Sequence, residues 1–165
     1  MQRYRRPARI LHWITAAIVL AMIPAGLVMV QKDAPFGDAL FIFHKNMGVV
    51  VLALVLARLA YRWRHPPPPL NIPLAGVAKA THWLLYAALL VMAVSGYVRV
   101  TTGGFPLEML DAIGLPRPAK NEAVAEIAKR VHWAAHYAVI GLVALHVAAA
   151  LRHALRRDGV FSRML

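Results

Sequence analysis

Two histidines of one long apolar segment, His132 and His146, are spaced so that both could bind the same kind of group. In a helix, 14 residues turn through about 1400°, so both side chains share a face, about 21 Å apart along the axis. Imidazole nitrogens bind metal ions and carry protons near neutral pH. An ionisable group in an apolar segment needs a partner or a role. The spacing therefore predicts two imidazoles facing the interior of a helical bundle, one near each end.

Two histidines of other apolar segments provide partners at matching depths. His44 lies near one end of the second segment, at the level of His132, and His12 lies near the start of the first, at the level of His146. We call His44 and His132 the outer layer, and His12 and His146 the inner layer. Two facing histidine pairs suit two six-coordinate haem irons inside a bundle.

Two further histidines compete for these positions. His136 follows His132 by one helical turn and could replace it, and His82 begins the third apolar segment as His12 begins the first, so it could pair with His146. Zinc prefers three or four ligands in a tetrahedron, and no Cys, Asp or Glu lies at the depth of the histidines. Copper could use two histidines but would leave the layered pairs unexplained.

Other residues could complete the sites. Arg58 lies 14 residues after His44, on the same helix face at the inner layer, where it could neutralise a haem propionate or extend to the membrane surface. Gly48 and Gly96 could make room for a macrocycle. His82 and His153 could together bind a quinone head group on the inner side, whereas a terminal histidine could equally face solvent.

The elements that position these residues are four apolar segments. Hydrophobic residues make up 60% of the 165 residues, and a helix needs about 20 apolar residues to cross a bilayer. The segments cover residues 10–30, 41–61, 80–98 and 131–151. The sequence thus predicts an all-α protein, an integral membrane antiparallel four-helix bundle with two haems between the helices, as a single domain over residues 1–165. A proline run at 66–69 should form the linker after the second helix, and residues 107–113 a short amphipathic turn.

The charge distribution predicts the orientation. Of the 19 Lys and Arg residues behind the net charge of +12, twelve share one side with a single acid, Asp158, and seven share the other side with six acids. By the positive-inside rule both termini are cytoplasmic. Because the bases are split among short stretches that flank apolar spans, we expect contact with membrane lipid and no nucleic acid partner. The absence of cysteine excludes disulfides, iron–sulfur clusters and covalently attached c-type haem.

The whole pattern resembles the bacterial cytochrome b-561 family. The matching features are Arg9-x-x-His12-Trp13, His44-Lys45-x-x-Gly48 with Arg58, the proline run, Gly76 before His82, and His132 with His146 and His153. The resemblance implies a multi-pass protein of the bacterial cell inner membrane with two non-covalent haem b groups. It implies that His12 and His146 ligate one haem iron, and His44 and His132 the other.

Members of that family pass electrons between the quinone pool and a partner at the outer face, and at least one oxidises superoxide and reduces ubiquinone. The leading hypothesis is therefore an electron-transfer cytochrome with ubiquinone as substrate, whose enzymatic form is a superoxide:quinone oxidoreductase. Superoxide would be attracted by the outer bases Lys32, Lys45, Arg99 and Arg130. The alternative is a non-catalytic haem anchor subunit of a periplasmic hydrogenase or dehydrogenase. A haem-free membrane scaffold, which would be colourless, is a third class.

Overall fold

The computed structural model describes residues 2–70 and 72–165, and in these ranges it contains helices and no strand. Four long helices match the four apolar segments, and two short ones follow the third and fourth long helices. The elements are α1 (Arg6–Val28), α2 (Gly37–Arg64), α3 (Ala75–Thr102), α4 (Glu108–Asp111), α5 (Glu122–Arg156) and a 3₁₀ helix (Phe161–Met164).

The four long helices are each long and apolar enough to cross a membrane, with a mean hydropathy of 1.7 to 2.0 over their most apolar windows. Many of their large apolar side chains are exposed, as expected where lipid replaces water. The predicted all-α four-helix membrane architecture is confirmed.

Neighbouring helices pack in chain order: α1 against α2, α2 against α3, and α3 against α5. Contacts at both ends of the first pair show its direction. Near the start of α1, His12 contacts Arg58 near the end of α2, and near the end of α1, Gly26 faces His44 near the start of α2. These two helices are therefore antiparallel, as their short connection requires.

An aliphatic cluster lies in the centre of the bundle. Its members come from all four long helices; in α5 the member lies midway between His132 and His146, and in α2 the members lie between His44 and Arg58. They are Val19, Val51, Val55, Leu89 and Val139. We call this cluster the aliphatic belt, because it separates the two histidine layers.

The helix ends follow local sequence. Proline in the first turn of α1 suits a position whose N–H has no helical partner. The side chain of Asn121 caps α5 by accepting a hydrogen bond from the N–H of Val124 at 3.1 Å. The proline run follows α2, as predicted. The predicted amphipathic turn contains a single helical turn, α4, and the C-terminal 3₁₀ helix was not predicted.

Candidate cofactor site

The inner layer brings three histidine rings together. The ring centres of His12 in α1 and His146 in α5 are 6.0 Å apart. His82 in α3 is also close, with its ring centre 5.6 Å from that of His146. The structure therefore places both predicted candidates for the partner of His146 beside it.

Arg58 extends into this layer from α2. Its Nη2 atom lies 3.1 Å from Nδ1 of His12, and its guanidinium carbon lies 5.2 Å from the ring centre of Tyr86. Because a guanidinium can only donate, Nδ1 of His12 accepts this hydrogen bond. Arg58 thus lies at the inner layer, at the position predicted from its spacing to His44.

The outer layer contains one histidine pair. The ring centres of His44 in α2 and His132 in α5 are 6.2 Å apart. Nδ1 of His132 lies 3.0 Å from the carbonyl oxygen of Met92 and 3.3 Å from Oγ of Ser95. Since a carbonyl only accepts, Nδ1 of His132 donates to it, and Nε2 is left with the lone pair that binds metals.

The residues fit haem iron in both layers. Two metal–nitrogen bonds of about 2 Å and two imidazole half-widths of roughly 1 Å add up to about 6 Å between ring centres, close to the observed 6.0 and 6.2 Å. Nδ1 of His44 and Nε of Arg9 are buried without a hydrogen-bond partner in the described part of the chain. Buried polar atoms of this kind are expected where a bound group would supply the partner. Among the described residues, no group of three or more His, Asp or Glu has the geometry of a metal site. A tetrahedral zinc ion needs three or four such ligands.

Two glycines allow the outer rings to sit where they do. A Cβ atom on Gly26 would lie 2.9 Å from Cε1 of His44, and one on Gly96 would lie 3.0 Å from Cε1 of His132. Both distances are shorter than, or at the limit of, real Cβ contacts, so any larger residue would displace the ring. Gly96 was predicted to make room, whereas no such role was predicted for Gly26. A Cβ atom on Gly48 would meet only the methyl of Met22, at 4.0 Å.

The remaining histidines are outside the two pairs. His136 lines the outer cavity, but its Nδ1 contacts the carbonyl oxygen of Trp133 in its own helix. Nδ1 of His153 lies 2.6 Å from Oδ2 of Asp158, a partner that sequence reasoning missed. This contact and the N–H of Val160 hold the pKa of the exposed Asp158 carboxyl below its usual range. His65 stacks on Tyr61, with ring centres 4.3 Å apart.

A clamp closes the outer layer. Nζ of Lys45, whose side chain is 3% exposed, lies 2.6 Å from Oε1 of Glu108 at the start of α4. Asn46 donates to Oε2 of Glu108 at 2.6 Å and accepts from the N–H of Met109 at 3.0 Å. The hydrogen bonds that Lys45 and Asn46 donate to the carboxylate lower the pKa of Glu108 to about 2. The clamp holds Leu107, 1% exposed, against the outer cavity.

The clamp affects which of the outer bases keep an unneutralised charge. Lys45 is neutralised by Glu108, and Arg130 lies 3.4 Å from Glu126. Arg99 lines the outer cavity and forms no ion pair with any described residue. Of the four bases expected to attract small anions, Arg99 is therefore the one that combines an unneutralised charge with a position at the outer histidines.

The inner layer is closed by the C-terminal 3₁₀ helix. Arg163, 3% exposed, donates to the carbonyl oxygens of Pro68 and Gln2, and its guanidinium lies over the ring of Tyr4. The indole of Trp13 donates to the carbonyl oxygen of Met164 at 2.7 Å. These contacts join the N-terminal tail, the proline linker and the C-terminal segment beneath the inner histidines.

Known proteins resemble this chain over most of its length. The family model of prokaryotic cytochrome b561 matches residues 3–165. The chain is 30% identical to cytochrome b561 homolog 2 of Escherichia coli (strain K12), over 99% of this chain and 92% of that protein. It is 27% identical to the probable superoxide oxidase CybB of Yersinia pestis, over 94% and 91% of the two chains. It is also 27% identical to cytochrome b561 homolog 1 of Escherichia coli (strain K12), over 100% and 98%.

Proposed function

Because the chain belongs to the prokaryotic cytochrome b561 family, and is therefore a membrane cytochrome, we propose that it holds two haem b groups and passes electrons between them across the membrane. His12 and His146 ligate one iron and His44 and His132 the other. The observation that carries this proposal is the pair of ring separations, 6.0 and 6.2 Å, in two layers of one bundle. Bound haem supplies one-electron chemistry at each layer.

The protein's own side chains would tune the two layers differently. The Met92 carbonyl sets the tautomer of His132 that leaves Nε2 free for iron. At the inner layer, an imidazole that ligates iron through Nε2 keeps its proton on Nδ1. Arg58 would then give up its contact with Nδ1 of His12, and a propionate carboxylate is the natural new partner of its guanidinium.

We further propose that the electron donor is superoxide and the acceptor ubiquinone, with both termini cytoplasmic in a bacterial inner membrane. A relative is named a probable superoxide oxidase, and Arg99 offers a positive charge beside the outer histidines. Each superoxide anion gives up one electron and leaves as O₂. Two such electrons and two protons convert ubiquinone to ubiquinol.

His82 and His153 are the proposed residues of the quinone site on the inner side. If His12 ligates the inner iron, His82 remains available to donate a hydrogen bond to a quinone carbonyl. His153 lies farther along α5 with Asp158 as its hydrogen-bond partner, and such a pair can pass protons between solvent and a reduced quinone. Because the partner of His153 is a carboxylate at the surface, we assign His153 the role of a proton donor rather than of a direct quinone contact.

Haem content and quinone kinetics test the proposal. The purified protein should contain two haems per chain, extractable with acidic acetone because no cysteine attaches them; fully loaded protein with one haem contradicts the two-layer arrangement.

Alanine at His82 and at His153 should each slow quinone-linked oxidation of reduced haem several-fold and leave the reduced spectrum intact. Unchanged kinetics in the double variant would move the quinone site elsewhere. Loss of haem from His82→Ala, with haem retained in His12→Ala, would make His82 the ligand. The anchor-subunit alternative would be favoured if the protein co-purified with a large redox subunit and showed no superoxide activity on its own.

A further inference from the structure

A second cleft lies away from the histidines, between the inner ends of α2 and α3. Its volume is about 610 Å³, large enough for a small ligand or a lipid head group. The proline linker forms part of its wall, and the two helices contribute one base and one tryptophan each. The lining includes Arg62, Trp63, Pro66, Pro67, Lys79 and Trp83.

The cleft is positively charged. Arg62 reaches it from α2 and Lys79 from α3, and none of the described residues that line it is acidic. Neither base forms an ion pair with a residue that the structure describes. Two unneutralised cations that approach from different helices favour an anion between them.

Aromatic rings hold one of these cations in place. The guanidinium carbon of Arg62 lies 5.2 Å from the ring centre of Trp83 and 5.8 Å from that of Tyr86. Stacking on the two rings restricts the side chain, so less conformational freedom is lost when it binds a ligand. Arg62 is thus presented to the cleft rather than free to extend into solvent.

The depth of the cleft limits what the anion can be. Trp63 is 86% exposed and Trp83 48% exposed, and tryptophans at helix ends lie at the level of the lipid head groups. The cleft begins where an apolar span ends, which is the depth of the lipid head groups. Basic pockets between transmembrane helices on the cytoplasmic side bind anionic head groups.

We propose that this cleft binds the phosphate of an anionic phospholipid. Arg62 and Lys79 contact the phosphate oxygens, and Trp63 and Trp83 pack along the glycerol and the upper acyl chains. The site is separate from the histidine layers and does not depend on the proposed electron donor or acceptor. Its chemistry is shared by free phosphate, which the test distinguishes.

The test measures lipid binding to the haem-loaded protein in detergent by native mass spectrometry, with phosphatidylglycerol or phosphatidylcholine added. The wild-type protein should bind one phosphatidylglycerol more tightly than any phosphatidylcholine. Removing the charge of Lys79 (Lys79→Gln) should weaken this binding about fivefold, and the double variant Arg62→Gln/Lys79→Gln roughly 20-fold. The reduced-haem spectrum checks that each variant is folded.

A matched control removes the same charge at the same surface outside the cleft. Arg64→Gln/Arg156→Gln, both exposed, should keep the affinity for the first phosphatidylglycerol within about twofold. Equal losses in the control and the cleft variant would show diffuse surface attraction and overturn the proposal. Equal binding of phosphatidylcholine, or displacement of phosphatidylglycerol by inorganic phosphate at similar concentration, would overturn it as well.

Discussion

Gly96 of α3 lies directly behind the ring of His132 of α5, so close that a Cβ atom would be 3.0 Å from Cε1 and 3.2 Å from Nδ1 of the imidazole. The nearest atoms belong to a ring that is itself held by the Met92 carbonyl. The ring therefore cannot move without losing that hydrogen bond. The position of the outer histidine thus depends on the absence of a side chain on a different helix.

The first prediction follows from this contact. Gly96→Ala should displace the His132 ring and lower the haem content from two per chain towards one, with the loss confined to the outer site. Haem per chain by pyridine haemochrome, with the low-spin spectrum, is the measurement. Gly141→Ala in α5, where a Cβ atom would meet nothing within 4 Å, is the matched control and should keep both haems. Equal haem content in the two variants would show that the outer ring tolerates the shift.

The second prediction separates ligands from neighbouring histidines. His146→Ala should abolish low-spin haem at the inner site and leave the outer site largely intact, because the aliphatic belt lies between the layers. His136→Ala should leave both spectra nearly unchanged, since Nδ1 of His136 contacts the carbonyl of its own helix at Trp133. Loss of the outer haem in His136→Ala would assign the outer ligand to His136 in place of His132.

The third prediction concerns the charge at the inner layer. Arg58→Gln removes a positive charge next to His12, and a cation near the iron favours the reduced state. The midpoint potential of the inner haem should therefore fall by some tens of millivolts, while that of the outer haem changes little. A potentiometric titration measures both. Arg64→Gln, an exposed base six residues later in α2, is the control; an equal shift there would mean that Arg58 acts only through the surface potential.

The fourth prediction concerns the clamp between α2 and α4. The folded-state pKa of Glu108 is lowered to about 2 from 4.5, so the clamp stabilises the folded state fully above pH 4.5 and loses this contribution as the pH falls towards 2. Hydrogen–deuterium exchange of residues 107–111 should be slow between pH 5 and 8 and accelerate only at the lower pH, relative to the intrinsic rate.

Glu108→Gln should show the accelerated exchange already at neutral pH, because the buried Lys45 then lacks its counter-ion. Glu122→Gln removes the same charge from an exposed pair with Lys120 and should leave exchange at 107–111 unchanged. If Glu108→Gln exchanged as slowly as the wild-type protein at pH 7, the hydrogen bonds of Asn46 alone would hold α4.

The sequence was sufficient for the parts of the molecule that depend on local pattern. Hydropathy located all four long helices but not their ends, since α5 begins at Glu122, nine residues before its apolar segment. The 14-residue spacing of His132 and His146 identified the face that meets His12 and His44. It could not choose between His12 and His82 as the partner of His146, because both begin a helix at the same depth. Their ring separations from His146 differ by only 0.4 Å (6.0 and 5.6 Å).

Contacts between distant residues were beyond the sequence. Lys45 and Glu108 are 63 residues apart, and nothing in either local pattern marks them as partners. Arg163 lies in a segment too short for periodicity, yet it is among the most buried charged residues. The role of Gly26 could not be predicted either, because its position behind His44 depends on how α1 packs on α2.

The aliphatic belt has a consequence for the energetics of turnover. None of its five side chains can bind a proton, so an electron that moves between the inner and outer layers would cross this part of the bilayer without a compensating positive charge. Such a step is electrogenic, and a membrane potential changes its free energy by up to about 2.3 kcal/mol per 100 mV. If electrons move inward, a potential that is negative inside would slow each turnover, and an ionophore that collapses the potential would accelerate it in proteoliposomes.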